Sequence, residues 1–294
     1  MSSFFKKYFQ GKAGQRDFTE ADLPETRIQL FWQAFNTNRG HMVGLNLLYL
    51  LVWLPAILWT FLNGMQLMSL SEVSVEALRS LMFTWLLVLS PLIAITGPFN
   101  AGISLVMHRW AQDEHSFPYS DFRAGMKENW KQALPFGLID GIVPLVLFLC
   151  VDYYWRMSRL SALFLIPLAV TGFAAFVWFL SAPLVPALIV SYRQSFPGIL
   201  RNAVLMTLAQ LPRAVAVRLG TLIVPIALAL GYLIFPGALN WLFPIAAVLY
   251  TVMLLAFNKL LWASFANFLG EKYLNPNIPG ARTNIGLRQR EAEK

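Results

Sequence analysis

Asp140 is an ionisable residue inside an apolar run, in the stretch GLIDGIVP within residues 134–153. An ionised carboxylate is costly in an apolar environment, and one that is kept there pairs with a cation or takes part in binding or proton transfer. Candidate partners lie near the starts of two other apolar runs: Arg213, Arg218, His41 and Asn46. The sequence therefore predicts a proton-binding or cation-binding carboxylate, with a structural ion pair or a carboxylate at the level of the lipid headgroups as the alternatives.

Glycine and proline interrupt the apolar runs at points where backbone groups could bind a solute. The run 78–95 is followed by Gly97-Pro98, and a later run carries Pro183 and Pro186. Broken helices at membrane depth expose backbone groups that can bind substrates or ions, although many such residues only bend a helix. The predicted substrate or ion site, to which asparagines add hydrogen-bonding groups, consists of Asp140, Asn46, Asn100, Pro98 and Gly97.

Motifs for enzymatic catalysis are absent from the sequence, which has no nucleotide-binding glycine loop, GxSxG turn or HExxH motif. In HRWAQDEH, His108 and His115 are about two helical turns apart, which is too far for one tetrahedral ion while the helix continues. The single cysteine, Cys150, excludes an internal disulfide and a multi-cysteine metal site. We therefore expect no enzymatic activity, no cofactor and no metal site.

The composition indicates a membrane protein. Hydrophobic residues make up 57% of the chain, charged residues only 13%, and the mean hydropathy is +0.56. Soluble domains carry roughly 25% charged residues. Long continuous apolar runs predict membrane-spanning helices, which need about 20 residues each. The predicted spans are residues 42–61, 78–95, 134–153, 160–190, 214–235 and 238–257.

The basic residues follow a pattern that predicts the orientation of these spans. Twenty of the 23 Lys and Arg residues fall on alternate loops, which share one side of the membrane if there are six spans. The positive-inside rule places both termini in the cytoplasm. Because topology accounts for the net charge of +8, we expect the partner to be the lipid bilayer and not nucleic acid. The oligomeric state is not predicted.

The order of features recurs three times along the chain. Each time a semi-polar helix leads into a span, and a second span returns and continues as GPFNAGISLVMHRW, APLVPALIVSYR or AFNKLLWASFANFLGEKY. The predicted fold is all-α, with six transmembrane helices in three pseudo-repeated hairpins and amphipathic cytoplasmic helices. The predicted regions are a cytoplasmic segment 1–27 that forms a possible interfacial anchor, a membrane domain 28–274 and a disordered cytoplasmic tail 275–294.

The amphipathic cytoplasmic helices offer apolar and basic side chains to another protein. A layer of such helices is suited to contact with a second membrane subunit or an ATPase. The predicted interaction surface consists of Trp110, Phe122, Trp130, Lys131 and Trp262.

One stretch of the chain resembles a known family. TGPFNAGISLVMHRWAQDEHSFPYSDFRAGMKENWKQ, together with FWQAFNTNRGHMVGLNLLYLLVWLP before it, is similar to the YesL-like family of bacterial integral membrane proteins, a domain of unknown function. The resemblance covers residues 28–267 and implies a location in the bacterial cytoplasmic (inner) membrane. It also implies a link to carbohydrate uptake, because members often occur in gene neighbourhoods with sugar-importing ATP-driven transporters. The family supplies no catalytic residue.

Two functions therefore remain open from the sequence. The first is a non-catalytic accessory or partner of subunits of a carbohydrate uptake system of the ABC type. The second is a transporter or channel in its own right, in which Asp140 and the kinked helices form the site. A polar cavity at mid-depth would favour the transporter, and an exposed apolar layer without a cavity would favour the accessory protein.

Overall fold

The computed structural model describes residues 23–69 and 74–288, which are largely helical and contain no strand. The interfacial anchor that the sequence predicts near the N-terminus lies mostly outside the described residues. The α-helices are α1 (Arg27–Thr37), α2 (Arg39–Ser69), α3 (Val75–Ile95), α4 (Gly97–Trp110), α5 (Pro118–Ser158), α6 (Leu165–Ser181), α7 (Val185–Ser191), α8 (Phe196–Ala209), α9 (Leu211–Thr221), α10 (Ile223–Ile234), α11 (Leu239–Leu249) and α12 (Leu255–Tyr273).

The described helices confirm a multi-pass membrane protein. Five helical stretches are long and apolar enough to cross a bilayer: Arg39–Ser69, Val75–Ile95, Pro118–Ser158, Ala162–Ser191 and Leu239–Tyr273. The pair α8 and α9 makes a sixth if it is one span bent by 99°, and α10 is a shorter apolar helix. The predicted span 214–235 is divided at Leu222, where α9 ends and α10 begins. The structure therefore gives five or six spans, and the count of six stays a prediction.

Two of the long stretches are interrupted and a third ends at a turn, which gives three helix interruptions among the described residues. A turn at Thr96 separates α3 from α4, a 3-10 turn at Ala182–Leu184 separates α6 from α7, and a π-helical turn at Tyr250–Leu254 separates α11 from α12. Proline accounts for the first two, because Pro98 stands in the first turn of α4 and Pro183 stands within the 3-10 turn, and neither can donate a backbone hydrogen bond. The π-helical turn contains no proline.

Asn46 on α2 stabilises this π-helical turn. Its Nδ2 group donates to the carbonyl oxygens of Tyr250 and Thr251, each at 2.8 Å, and its Oδ1 atom accepts from the backbone N–H of Ala256 at 3.0 Å. A π-turn leaves such backbone groups without their usual helical partners. Asn46 is completely buried, so no water replaces it. The sequence predicted Asn46 as part of a substrate site, whereas in the structure its amide forms hydrogen bonds with the backbone of the π-helical turn and of α12.

We expect Asn46→Ala to destabilise the protein by about 2–4 kcal/mol, because it leaves buried backbone groups unpaired and opens a small cavity. The measurement is the free energy of unfolding in detergent, followed by circular dichroism. Asn129→Ala is the matched control, since the Asn129 amide only donates to the Gly125 carbonyl of its own helix at 3.0 Å and is half-buried. An equal loss in the two variants would contradict the assigned role of Asn46.

Glycines bring α3 and α4 against α5. A Cβ atom on Gly137 would lie 2.5 Å from the carbonyl oxygen of Ala94 and 3.0 Å from the Cα atom of Gly97. Further along the same contact, a Cβ atom on Gly125 would lie 3.0 Å from the Cα atom of Gly102. Small residues that let membrane helices approach this closely are a common basis of their packing. The structure thus places Gly97 in a helix contact.

Among the described residues, side chains from α1, α2, α4, α5, α7, α8, α9, α12 and the 3-10 turn build two buried apolar clusters. Trp110 and Phe122 lie in one cluster and Trp262 in the other, with 2%, 5% and 4% of their surfaces exposed. The sequence predicted these three residues as part of an interaction surface. The structure corrects that prediction, because neighbouring helices of the same chain cover the apolar faces on which they lie.

The C-terminal segment, for which the sequence predicted disorder, folds back onto the protein as far as it is described. Glu271 at the end of α12 pairs with Arg27 at the start of α1, and the same carboxylate accepts from the backbone N–H of Asn284 at 2.7 Å. Arg288 reaches Glu25 at 3.2 Å. The buried carboxylate of Glu271 binds both Arg27 and the backbone of Asn284, and it therefore holds α1 and the C-terminal segment against α12.

His108, near the end of α4 and beyond the candidate spans, is half-buried between helices. The Ser191 hydroxyl donates to the carbonyl oxygen of Ala187 at 2.6 Å, so its oxygen is free to accept from Nδ1 of His108 at 3.0 Å. Burial lowers the pKa of His108 from 6.5 to about 4. A hydrogen bond with Asn267 opposes this shift, and the charge of Arg109 adds to it. His108 is therefore neutral at physiological pH.

This lowered pKa predicts a loss of stability in acid. Between pH 6.5 and about 4 the unfolded chain binds a proton at this residue and the folded chain does not, so stability falls as the pH falls through that window and levels off below it. The loss reaches about 3 kcal/mol at about 1.4 kcal/mol per pH unit. The free energy of unfolding, measured from pH 7.5 to 4, should depend much less on pH in His108→Gln than in the parent protein. In the control His115→Gln, whose side chain is exposed, the pH dependence should be the same as in the parent protein.

Candidate binding cavity

The three helix interruptions border one cavity of about 500 Å³. Residues beside each break face it: Asn100 after the first, Ala182 and Pro183 in the second, and Tyr250 and Lys259 in and after the third. The remaining wall comes from α2, α3, α5, α6, α7, α12 and the α9–α10 junction. The irregular backbone of this protein therefore lies beside a cavity, which is where membrane proteins tolerate it.

Asp140 on α5 contributes the carboxylate of the cavity. Its Oδ1 atom accepts a hydrogen bond from the indole Nε1 of Trp178 at 3.2 Å. Lys259 and Arg218 line the same cavity and interact with Asp140 electrostatically. Within the described part of the chain, neither cation approaches the carboxylate to within 4.0 Å. The ion pair that the sequence offered as an alternative is therefore not formed as a direct contact, and space remains between the charges.

Lys259 on α12 is held by an amide on α4. Its Nζ atom donates to Oδ1 of Asn100 at 2.7 Å, and the hydroxyl of Tyr49 donates to the same oxygen. The amide nitrogen of Asn100 donates to the Thr96 hydroxyl at 3.1 Å, across the first helix break. The Lys259 ammonium group also lies 5.5 Å from the centre of the Tyr49 ring. An ammonium group has three donors, so Asn100 fixes the group and leaves donor capacity for a ligand.

Arg218 on α9 contributes the second cation. Its guanidinium carbon lies 3.7 Å from the centre of the Phe179 ring, a cation–π contact that fixes the plane of the group. Its Nε atom is buried and has no hydrogen-bond partner among the residues that the structure describes. The Oδ1 atom of Asn258, another lining residue, is buried without a partner as well. A buried polar group without a partner costs about 1–3 kcal/mol, so a ligand that reaches these atoms would recover that free energy.

The charges in this cavity favour an acidic ligand. Two cations and one carboxylate leave a net charge of one positive, in surroundings otherwise made mostly of aromatic rings, prolines and aliphatic side chains. A cation in a low-dielectric site attracts an anion far more strongly than it does in water. Arginine and lysine are also the side chains that bind carboxylate and phosphate groups most effectively.

The predicted substrate residues separate into two groups. Asp140 and Asn100 line the cavity together, and their role in binding a substrate or ion stays a prediction. Asn46 holds the π-helical turn, Gly97 lies against α5, and Pro98 starts α4, so these three shape the structure around the cavity without lining it.

Several cavity residues were not predicted as site residues. In the sequence, Lys259 is one of the basic residues from which the orientation is predicted, and Tyr49 and Trp178 fall within predicted spans. Arg218 was named only as one of four possible partners of Asp140. The signal that could have identified Lys259 is its place in LLAFNKLLW, where a lysine stands in an apolar run directly after an asparagine.

The two other predicted surface residues, Trp130 and Lys131, are exposed side by side on α5. Half of the Trp130 side chain is accessible. Among the described residues, no three His, Cys, Asp or Glu side chains are grouped in a way that could hold a metal ion.

A scan against models of protein families, a search of curated proteins and a search of solved structures each found no match.

Proposed function

We propose that this protein is a membrane transporter that binds a solute with an acidic group in the cavity between Asp140, Arg218 and Lys259. The observation that carries the proposal is the buried, unpartnered Nε atom of Arg218 beside the partly occupied ammonium group of Lys259. Intramembrane charged residues commonly mark a substrate path, and broken helices at such a site are typical of transporters.

The positions of the breaks support this reading. Residues at all three interruptions face the cavity, and a helix bends more easily where its regular hydrogen bonds are missing. Rotation of the segments on either side of Thr96, Ala182–Leu184 and Tyr250–Leu254 would change the width of the cavity and its access. On this proposal the breaks act as hinges between an open and a closed state.

The proposal includes the finer topology predicted from the sequence. Six spans, arranged as three pseudo-repeated hairpins, would surround the cavity, and both termini would lie in the cytoplasm of a bacterium, with the protein in its inner membrane. Cysteine labelling tests this orientation. A reagent that does not cross membranes should modify Ser195→Cys, in a Cys150→Ser background, only after the membrane is opened.

The transport proposal is tested with purified protein in proteoliposomes. The probes are L-glutamate, glycerol 1-phosphate and a fluorescently labelled phosphatidylglycerol. We expect movement of at least one acidic probe, reduced at least about tenfold in Arg218→Gln and Lys259→Gln, because a hydrogen bond to a charged group contributes about 1.5–3 kcal/mol. Arg213→Gln is the matched control, since Arg213 is an exposed arginine of the same helix outside the cavity. No movement of any probe, or equal losses in all three variants, would refute transport through this cavity.

An accessory role in carbohydrate uptake of the ABC type is the second candidate. It rests on the resemblance to the YesL-like family and on the exposed pair Trp130 and Lys131. Gentle purification of the tagged protein from its own host should then recover sugar-importer subunits in stoichiometric amounts. A Trp130→Ala, Lys131→Ala variant should lose them. Recovery of the protein alone would leave the transporter as the remaining candidate.

A further inference from the structure

An apolar groove runs between α5 and α6 next to the charged cavity. It consists of two adjoining depressions of about 360 and 390 Å³, lined by aliphatic and aromatic side chains. Trp178 and Phe179 line both the groove and the cavity, and so does Pro144. These three residues therefore form a shared wall with charges on one side and a lipid-facing surface on the other.

The polar atoms of this wall point towards the cavity. The indole nitrogen of Trp178 donates to Asp140, and the Phe179 ring carries the guanidinium group of Arg218 on its face. The groove side contains only the hydrocarbon parts of these residues together with side chains such as Ile142, Val146 and Ala174. A molecule lying across the wall would meet charge at one end and hydrocarbon along the rest of its length.

Because the charged cavity and the apolar groove adjoin each other at this wall, we infer that the ligand is an anionic lipid, whose acidic headgroup binds Arg218 and Lys259 while its hydrocarbon chain lies in the groove between α5 and α6. The inference rests on the proposed function and names the class of its substrate. A headgroup with one negative charge, such as a phosphodiester, would balance the single net positive charge of the cavity.

The headgroup, and not the chain, should supply most of the affinity. A hydrocarbon chain in the groove exchanges one apolar surrounding for another, because the bilayer is as apolar as the groove. The contact between the acidic group and the two cations forms in a low-dielectric site, so its favourable electrostatic energy is not cancelled by an equivalent contact in the bilayer. Binding should therefore depend strongly on headgroup charge and only weakly on chain length, while a blocked groove would exclude the lipid sterically.

The test is native mass spectrometry of the detergent-purified full-length protein. The probes are phosphatidylglycerol, neutral phosphatidylcholine with the same chains, and water-soluble glycerol 1-phosphate. We expect saturable retention of one phosphatidylglycerol, roughly tenfold weaker in Arg218→Gln and Lys259→Gln, with Arg213→Gln unchanged. Ala174→Trp, which fills the groove, should also weaken binding. Ala169→Trp should not, because Ala169 is exposed on the same helix and does not line the groove.

The outcomes separate this inference from the proposed transport function. Equal retention of phosphatidylcholine, or no effect of Ala174→Trp, would overturn the lipid inference. Binding and movement of glycerol 1-phosphate that depends on Arg218, with no retained phosphatidylglycerol, would also overturn it and would leave the transporter standing. If phosphatidylglycerol is retained through Arg218 and Lys259 but no probe is moved across proteoliposomes, the lipid site stands and the transport function fails.

Discussion

Replacing Gly137 with alanine should destabilise the protein by about 3 kcal/mol or more, which is the upper part of the usual range for overpacking. The added Cβ atom would lie 2.5 Å from the Ala94 carbonyl oxygen and 3.0 Å from the Cα atom of Gly97. These are backbone atoms, so no side-chain rotation relieves the clash, and α5 must move away from α3 and α4. The same movement would disturb Asp140, less than one turn further along α5. We therefore expect lower expression and a lower unfolding temperature.

Gly172→Ala is the matched control for this prediction. Gly172 lies within α6, and a Cβ atom there would meet nothing within 4 Å. Alanine has the higher helix propensity by about 1 kcal/mol, so this variant should be as stable as the parent protein or slightly more stable. The measurement is the temperature at which the monodisperse peak is lost in size-exclusion chromatography of detergent extracts. Equal stability of Gly137→Ala and Gly172→Ala would show that α5 is not in close contact with α3 and α4.

The sequence predicted the helical membrane fold because composition and run length depend only on local residues. The break at Gly97-Pro98 was predicted for the same reason, since proline acts on its own helix. The break at Tyr250–Leu254 was not, because no residue within it forces a π-turn. Its hydrogen-bond partner, Asn46, lies about 200 residues earlier in the chain, and a contact of that kind is visible only in three dimensions.

The candidate site was predicted in part for a related reason. Asp140 stands out because an acid in an apolar run is rare, whereas Lys259 was read as one more basic residue at the end of a span. Trp262 shows the converse error. Its place on an amphipathic helix indicates that one face must be covered, but periodicity does not show whether lipid, a partner or the same chain covers it. In the structure the same chain covers it, because Trp262 lies in a buried cluster with side chains of α5, α7, α8 and α9.

The location of the cavity follows from the same packing. Asn100 joins α4 to α12 through Lys259, and Asn46 joins α2 to the π-helical turn before α12. The Asn46 amide forms hydrogen bonds with backbone groups at the π-helical turn, and the Asn100 amide accepts from the ammonium group of Lys259. These polar groups would otherwise be unpaired in an apolar interior. The breaks can therefore lie side by side around a cavity without leaving most of their polar groups unpaired.

The charge balance of the cavity leads to the second prediction with a large effect. Asp140→Asn should destabilise the protein, because it leaves Arg218 and Lys259 without a counter-charge in a low-dielectric cavity. Lys259→Met removes one cation and keeps the length of the side chain, and it should be much less harmful in the Asp140→Asn background than in the parent protein. A double-mutant cycle of unfolding free energies should give a coupling of about 1–3 kcal/mol between the two positions.

The control cycle replaces Lys259→Met with Arg213→Met, which removes an exposed cation outside the cavity and should give a coupling near zero. The same variants separate stability from binding. Asp140→Asn raises the net positive charge of the cavity, so it should bind phosphatidylglycerol more tightly although it unfolds more easily, and the double variant should bind more weakly than Asp140→Asn alone. Coupling of equal size in both cycles, or weaker lipid binding in Asp140→Asn than in the parent protein, would mean that Asp140 does not balance these cations and that the cavity does not select its ligand by charge.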